Sequence, residues 1–523
     1  MRLTSSGVNY HGGMRFRPTV LATLIASALL LGSCTRPGPH QEAPQPERGR
    51  AQISEQEEEL AVINGTEGEM ALAVSQALFD SAPTVVTAPG EDSRAQDVGA
   101  EIATEIGAPM LLASGAESDG ADPGRKPLLA ELERLGAETL LWVGQGPGQP
   151  EDGPWEVVPV DPDAEETPPE AAEDVHGEPV TNAAAIVTDS PQSAAAKATA
   201  EAAGVPLAEV AGADPNPQAS TAAIEFLTES DAAAILAIGT EFEDPGLVDW
   251  QVRSAGTGYE LPGGGQLVLG PRQYVALYGT PGASDLGALG HQDLDEAVER
   301  VQELGAEYQA LADRKVVASF EIIATIASGE AGDDGNYSSE RALEDLRPWV
   351  ERAGEEGMVV ILDLQPGRTD FLTQAKEYEE LLKLPHVGLA LDPEWRLTAD
   401  QEHLAQIGSV SAGEVNEVVH WLADLTNEEG LPPKMLVLHE FRTSMITHTA
   451  DVDLSRPEVD VLIHAEGQGT QSAKQETWRA LHAEAPEGIG WGWKNFLEKD
   501  SPTLTPEQTV SEVDPVPDLV TYQ

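Results

Sequence analysis

From Arg272 to Gln523 the chain repeats one pattern eight times: a short apolar run that ends in a polar residue, then a helical stretch. The runs cover residues 274–278, 316–321, 358–363, 387–392, 435–440, 459–464, 489–493 and 519–523. The stretches between them, among them 293–304, 340–353, 373–382, 411–425 and 473–482, carry apolar residues at helical spacing. Strands that alternate with helices pair in parallel. Eight such units in about 250 residues is the size of a (β/α)8, or TIM, barrel. The expected class is therefore α/β, with this barrel at residues 271–523.

In such a barrel the chemistry lies at the carboxyl ends of the strands. Those ends are acidic here: Glu321, Asp363, Asp392 with Glu394, Glu440 and Glu466 close successive strands. Side chains alternate faces with period two. Gly388, Ala390, Asp392 and Glu394 therefore share one face, and Leu389 and Leu391 the other. The same parity groups Asp363 with Gln365, and His464 with Glu466. Carboxyls gathered in one pocket drive their pKa values apart, so one stays protonated while another ionises. Glycoside cleavage needs that division of labour. Glu394, Asp392, Asp363 and Glu466 are the expected catalytic acids. Glu321, Gln365, His439, Glu440 and His464 are expected to contact substrate, with Tyr278, Trp395, Trp491 and Trp493 as rings for sugar faces.

Asp392-Pro393-Glu394 resembles the D-x-E element of the family 25 lysozymes and family 18 chitinases, two groups of barrel glycosidases. The resemblance implies that Glu394 is the proton donor and Asp392 its helper. The first-strand aspartate of family 25 and the longer acidic run of family 18 are missing, and the seventh strand lacks a glutamate. No H-E-x-x-H, no G-x-S-x-G and no H-x-H on the first strand occurs, so neither a metal nor a cofactor is expected. His439 and His464 read as partners of substrate or carboxylates rather than as metal ligands.

Two smaller α/β segments precede the barrel, at residues 60–165 and 178–265, joined by an acidic linker over 161–173. In the first, Thr84 to Asp92, Gly107-Ala108-Pro109-Met110-Leu111-Leu112, and Leu132-Glu133-Arg134-Leu135-Gly136 to Gly144 resemble the cell-wall-binding repeat (type 2) family of Gram-positive and actinobacterial surface proteins. The family's Arg-Tyr signature is absent. The second segment reads as a weaker copy. Gly144-Gln145-Gly146-Pro147-Gly148 reads as a loop, because a proline interrupts it and no helix follows directly.

Residues 1–33 have the layout of a secretory signal, with Met14 the more usual start. Arg15 and Arg17 precede an apolar run over 20–31, too short to span a bilayer comfortably, which takes roughly 20 residues. It closes on Leu31-Gly32-Ser33-Cys34, which looks like a lipobox. Cys34 is the only cysteine, so lipidation accounts for it and no internal disulfide can form. A Pro-, Glu- and Gln-rich stretch over 34–59 reads as a disordered tether.

The chain carries 30 Lys+Arg against 90 Asp+Glu, a net charge of −60. Phosphate backbones demand a basic patch, so nucleic acid is excluded as a partner. The expected protein is an acidic, extracytoplasmic lipoprotein, anchored to the membrane through its lipid and facing the cell wall. Its barrel is expected to bind or hydrolyse an envelope polysaccharide or peptidoglycan glycan. The alternative is a non-catalytic glycan-binding or scaffold protein with a degenerate glycosidase-like barrel.

Overall fold

The computed structural model describes residues 49–56, 58–113, 125–144, 149–150, 153–163 and 175–523. The leader, Cys34, the first part of the tether, residues 145–148 and most of the acidic linker lie outside them. The last part of the expected tether is folded, which corrects the reading of 34–59 as disordered throughout. Ala51 is buried and its N–H donates to Val175 O at 2.8 Å. Gln52–Ile53 pairs antiparallel with Phe79–Ser81. Few apolar residues were visible there, but backbone pairing and one small buried alanine suffice.

The amino-terminal part holds two four-stranded parallel sheets. One runs in the order Met110–Ala113, Thr84–Pro89, Thr139–Val143, Glu156–Val160. The other runs Leu60–Ile63, Ala234–Ile238, Ala183–Thr188, Leu207–Val210. Leu60–Ile63, assigned from sequence to the first segment, thus pairs in the second sheet. The helix Glu67–Leu78, started by a Thr66–Glu69 capping box, then returns the chain to the first. Its Met70, Val74 and Leu78 share one buried cluster with Val85, Leu111 and Leu140 of one sheet and Ala183, Ala185 and Leu236 of the other. The two segments interlock around a common core.

The barrel closes as its rhythm predicts. Eight parallel strands follow one another around it: Arg272–Gly279, Lys315–Ala327, Val359–Leu364, Val387–Leu391, Lys434–Glu440, Val459–Ala465, Gly490–Asn495 and Leu519–Tyr522, the last pairing with the first. Leu389, Leu391, Leu436 and Leu438 face the surrounding helices. Tyr274, Ala276, Ile361, Ala390, Val437 and Leu462 fill the interior. Gly388 is required there, because a Cβ would lie 2.7 Å from Met435 O on the neighbouring strand.

The amino-terminal mouth is plugged by the connector from the second sheet, whose Leu261 and Val268 enter the interior cluster. Arg272 ties this plug down, its guanidinium donating to the carbonyls of Leu261, Pro262, Gly264, Gly265 and Leu267. With that end sealed, only the carboxyl rim is left open to a ligand.

Candidate active site

Above the apolar interior seven of the eight strands carry an inward-facing layer of polar side chains. Tyr278, Glu321, Asp363, His439, His464, Lys494 and Thr521 are all buried. His439 stands at the centre. Its Nδ1 donates to Glu466 Oε2 at 2.8 Å and its Nε2 to Glu321 Oε1 at 2.7 Å. Asp363 Oδ1 lies 4.0 Å from the same Nε2. The Tyr278 hydroxyl donates to Asp363 Oδ2 at 2.8 Å, and Gln365 Nε2 donates to that hydroxyl at 3.3 Å. Lys494 Nζ donates to Glu466 Oε2 at 3.3 Å and lies over the Tyr278 ring, 3.3 Å from its centroid. His464 packs edge-on to His439 and bonds Thr521 Oγ1 at 3.0 Å.

A cleft of about 660 Å³ opens over this layer, lined by Tyr278, Gln365, Asp392, Glu394, Trp395 and Glu466, with Lys494 at its wall. Pro393–Trp395 forms a short 3-10 turn that swings Glu394 over the barrel mouth. Asp392 starts the turn, its Oδ1 accepting from Glu394 N at 3.1 Å. One oxygen from each of Asp392, Glu394 and Glu466 lies within 4.8 Å of the others.

Environment separates these carboxyls. Burial first, then the charge of Glu466, pushes Glu394 up to about 7. Burial and the charges of Glu466 and Asp363 hold Asp392 well above the ordinary aspartate value. Asp363 is pushed up to about 6 by burial, opposed by His439. Burial also works against an ionised Glu466, but the charges of His439 and Lys494, with their hydrogen bonds, overcome it and lower its pKa. His439 loses hydration yet is held well above the usual histidine value by Glu466, Glu321 and Asp363. His464 goes well below, through burial and the neighbouring His439 and Lys494 charges. The cleft thus sets Glu394, whose pKa is raised, against Glu466, whose pKa is lowered.

Three carboxylates at this spacing also match what a hard, oxygen-liking cation accepts. His439 has both ring nitrogens engaged by carboxylates, which takes it out of a metal set with Glu321 and His464.

Six expected contact residues do not line the cleft: Glu321, His439 and His464 are buried in the layer beneath it, and three others face away from the barrel interior. Glu440 points outward with Leu436 and Leu438, and its Oε1 accepts from Ile446 N at 3.1 Å, fixing the loop after the fifth strand. Trp491 and Trp493 also face outward, packing against Trp478 at 5.4 and 5.6 Å between ring centroids. The seventh strand reads Gly490-Trp491-Gly492-Trp493-Lys494, so the glycines and the lysine share the inner face. Inside, a Cβ at Gly492 would lie 2.4 Å from the His464 ring. The rule of small residues inward, applied to the fourth strand, would have turned these tryptophans out and revealed Lys494, which sequence reasoning missed. Glu321 pairs with His439. Trp493→Ala is expected to cost about 3–5 kcal/mol, as large core truncations do, while the affinity of the cleft for any ligand it takes stays unchanged. A urea melt beside affinity electrophoresis checks both, and a loss of affinity at unchanged stability would return Trp493 to the site.

No family model matches this chain, and no curated protein matches it. Among solved structures, Cwp6 from Clostridium difficile is similar over 58% of this chain, at 14% identity and a TM-score of 0.30. The chain covers 62% of that protein, less than two thirds of its length.

Proposed function

We propose that the barrel hydrolyses a glycan of the cell envelope, with Glu394 as general acid and Glu466 as the ionised partner. The observation that carries this reading is the pair itself: two carboxyls across one cleft, their oxygens within 4.8 Å, one pKa raised to about 7 and the other lowered. Acid–base assignments follow from environments that push two titratable groups apart.

The short separation favours retention of configuration. Retaining enzymes hold their carboxyls about 5–5.5 Å apart, whereas inverting ones leave roughly 6.5–9.5 Å for a water. In the first step a Glu466 oxygen bonds to the anomeric carbon. The glycosidic C–O bond breaks, and its electron pair leaves with the oxygen, which takes the proton of Glu394. In the second step water attacks the same carbon, Glu394 accepts its proton, and Glu466 is released as carboxylate. Glu466 Oε2 is held by His439 and Lys494, which fixes the carboxylate that would attack, while its Oε1 is buried and has no hydrogen-bond partner among the described residues. Asp392 orients the turn that carries Glu394. Asp363, Tyr278 and Gln365 fix the floor, and Trp395 offers a ring to a sugar face.

The leader with its Cys34 lipobox supports display outside the cell, on a lipid anchor facing the wall. The strongly acidic charge speaks for a carbohydrate partner over nucleic acid. The test is release of new reducing ends from purified wall polysaccharide and peptidoglycan, beside a Glu466→Gln control, with the product anomer read by NMR. Release that the control lacks, with the anomer retained, is the expected result. Saturable binding without release would assign the cleft to glycan binding alone. Release with inversion would remove Glu466 as nucleophile.

A further inference from the structure

We infer that the glycan taken by this cleft carries an anionic group, a carboxylate or a phosphate, docked on Arg442 and Lys499. The inference rests on the glycan reading above and names the class of glycan. Carboxylates outnumber cations 90 to 30 in this chain and hold several of them in ion pairs, while others, Lys315, Lys376 and Arg479 among them, form none among the described residues. Arg347 meets Glu351 and Glu380, Arg352 meets Asp295 and Glu356, and Lys383 meets Glu379 and Glu429. Arg442 and Lys499 both line the cleft and both are exposed, yet among the described residues neither forms an ion pair. Two cations left unpaired on one rim of so acidic a protein are available to a ligand's charge.

Their setting repeats. The Arg442 guanidinium lies 5.5 Å from the Phe441 ring, and Lys499 Nζ lies 5.8 Å from the Phe496 ring, and both rings line the cleft. A ring with a cation beside it suits a sugar acid, whose apolar face stacks while its charged substituent pairs. Both loops are held in place. Glu440 accepts from Ile446 N and pins the first. Asp500 accepts from Phe496 N and Gly469 N and pairs with buried Lys474, pinning the second. Loops fixed before binding lose less entropy on binding. Beyond Lys499 a smaller hollow of about 130 Å³ continues the groove, sharing Phe496, Lys499 and Gln523 and adding His291 and Arg300. A groove that runs on past the carboxyl pair fits a polymer better than a single sugar.

The overall charge of −60 does not oppose this at physiological salt. The screening length there is about 8 Å, so the nearest charges decide. The experiment is affinity electrophoresis of the soluble protein at that salt. The probes are a uronic-acid polysaccharide with its carboxyl-reduced counterpart, and a phosphodiester-linked wall glycan before and after removal of its phosphate. Binding about tenfold tighter to an acidic polymer than to its neutral form is expected, the gain that two exposed ion pairs supply. Arg442→Gln/Lys499→Gln should abolish that selectivity without moving the melting temperature, since both side chains are at the surface. The arm that shows selectivity identifies carboxylate or phosphate. Equal affinity for acidic and neutral forms, selectivity that survives the double variant, or no binding to any probe would overturn the inference. Reducing ends are assayed in the same samples. Selective binding without release keeps the anionic ligand and removes hydrolysis. Release from the neutral polymer alone keeps hydrolysis and removes the anionic ligand.

Discussion

Glu394→Gln is expected to lower turnover on an unactivated glycan by about 10²- to 10⁴-fold, the range that a positioned general acid contributes. The glutamine keeps the shape of the side chain and the turn that Asp392 caps, but it has no proton to give a leaving oxygen. Binding should survive. A substrate whose leaving group departs without protonation should lose much less, and that contrast isolates the acid's role. The pH profile sharpens it. On the proposed mechanism activity requires a protonated Glu394, so it should fall as pH rises through about 7. It also requires an ionised Glu466, whose lowered pKa puts the acid limb below the ordinary glutamate value of about 4.3. The upper limb should vanish in Glu394→Gln. An upper limb that persists in the variant would mean that another group, Asp392 foremost, donates the proton.

His439→Leu is expected to destabilise the barrel by about 3–5 kcal/mol near neutral pH, the usual cost of stripping the partner from buried charges. His439 lies between Glu466 and Glu321, and all three are buried. The folded pKa of His439 is raised, so its contribution is complete below the unfolded value of about 6.5 and persists through neutrality. It is lost only as pH climbs through the raised folded value. In the variant both carboxyls lose their counter-charge, and Glu466, whose lowered pKa depends on His439, holds its proton more tightly, so the variant's folded state weakens as pH rises past the ordinary carboxylate range. The deficit against wild type should therefore be small in acid, greatest around neutrality and smaller again in alkali. Urea midpoints across this range measure it. The acid limb of activity should move up in the same variant, because His439 is the charge that keeps Glu466 ionised. A deficit independent of pH would reduce His439 to a packing residue.

The barrel was legible because its signal is periodic and local. An apolar run of fixed length with a polar end, repeated eight times, leaves few other ways to bury so many strands. The acids at the rim were legible for the same reason, since strand parity put Asp363, Asp392, Glu394, His464 and Glu466 on the inner face. Glu440, Trp491 and Trp493 lie near strand ends but at the outward parity, so nearness to the rim does not bring them into the cleft. Lys494 was missed because a lysine after two tryptophans looks like a solvated end, and only closure of the barrel turns it onto Glu466.

Sequence alone determined the α/β class and the barrel with its acid-rich carboxyl rim, because both are written in the spacing of neighbouring residues. Tertiary structure decided which distant groups meet. Leu60–Ile63 crosses to the second sheet because pairing is chosen by the shared core, which no local pattern encodes. The opposed protonation of Glu394 and Glu466 was decided there too. It depends on burial and on a histidine and a lysine from other strands, and electrostatic energy follows distance through space rather than position along the chain.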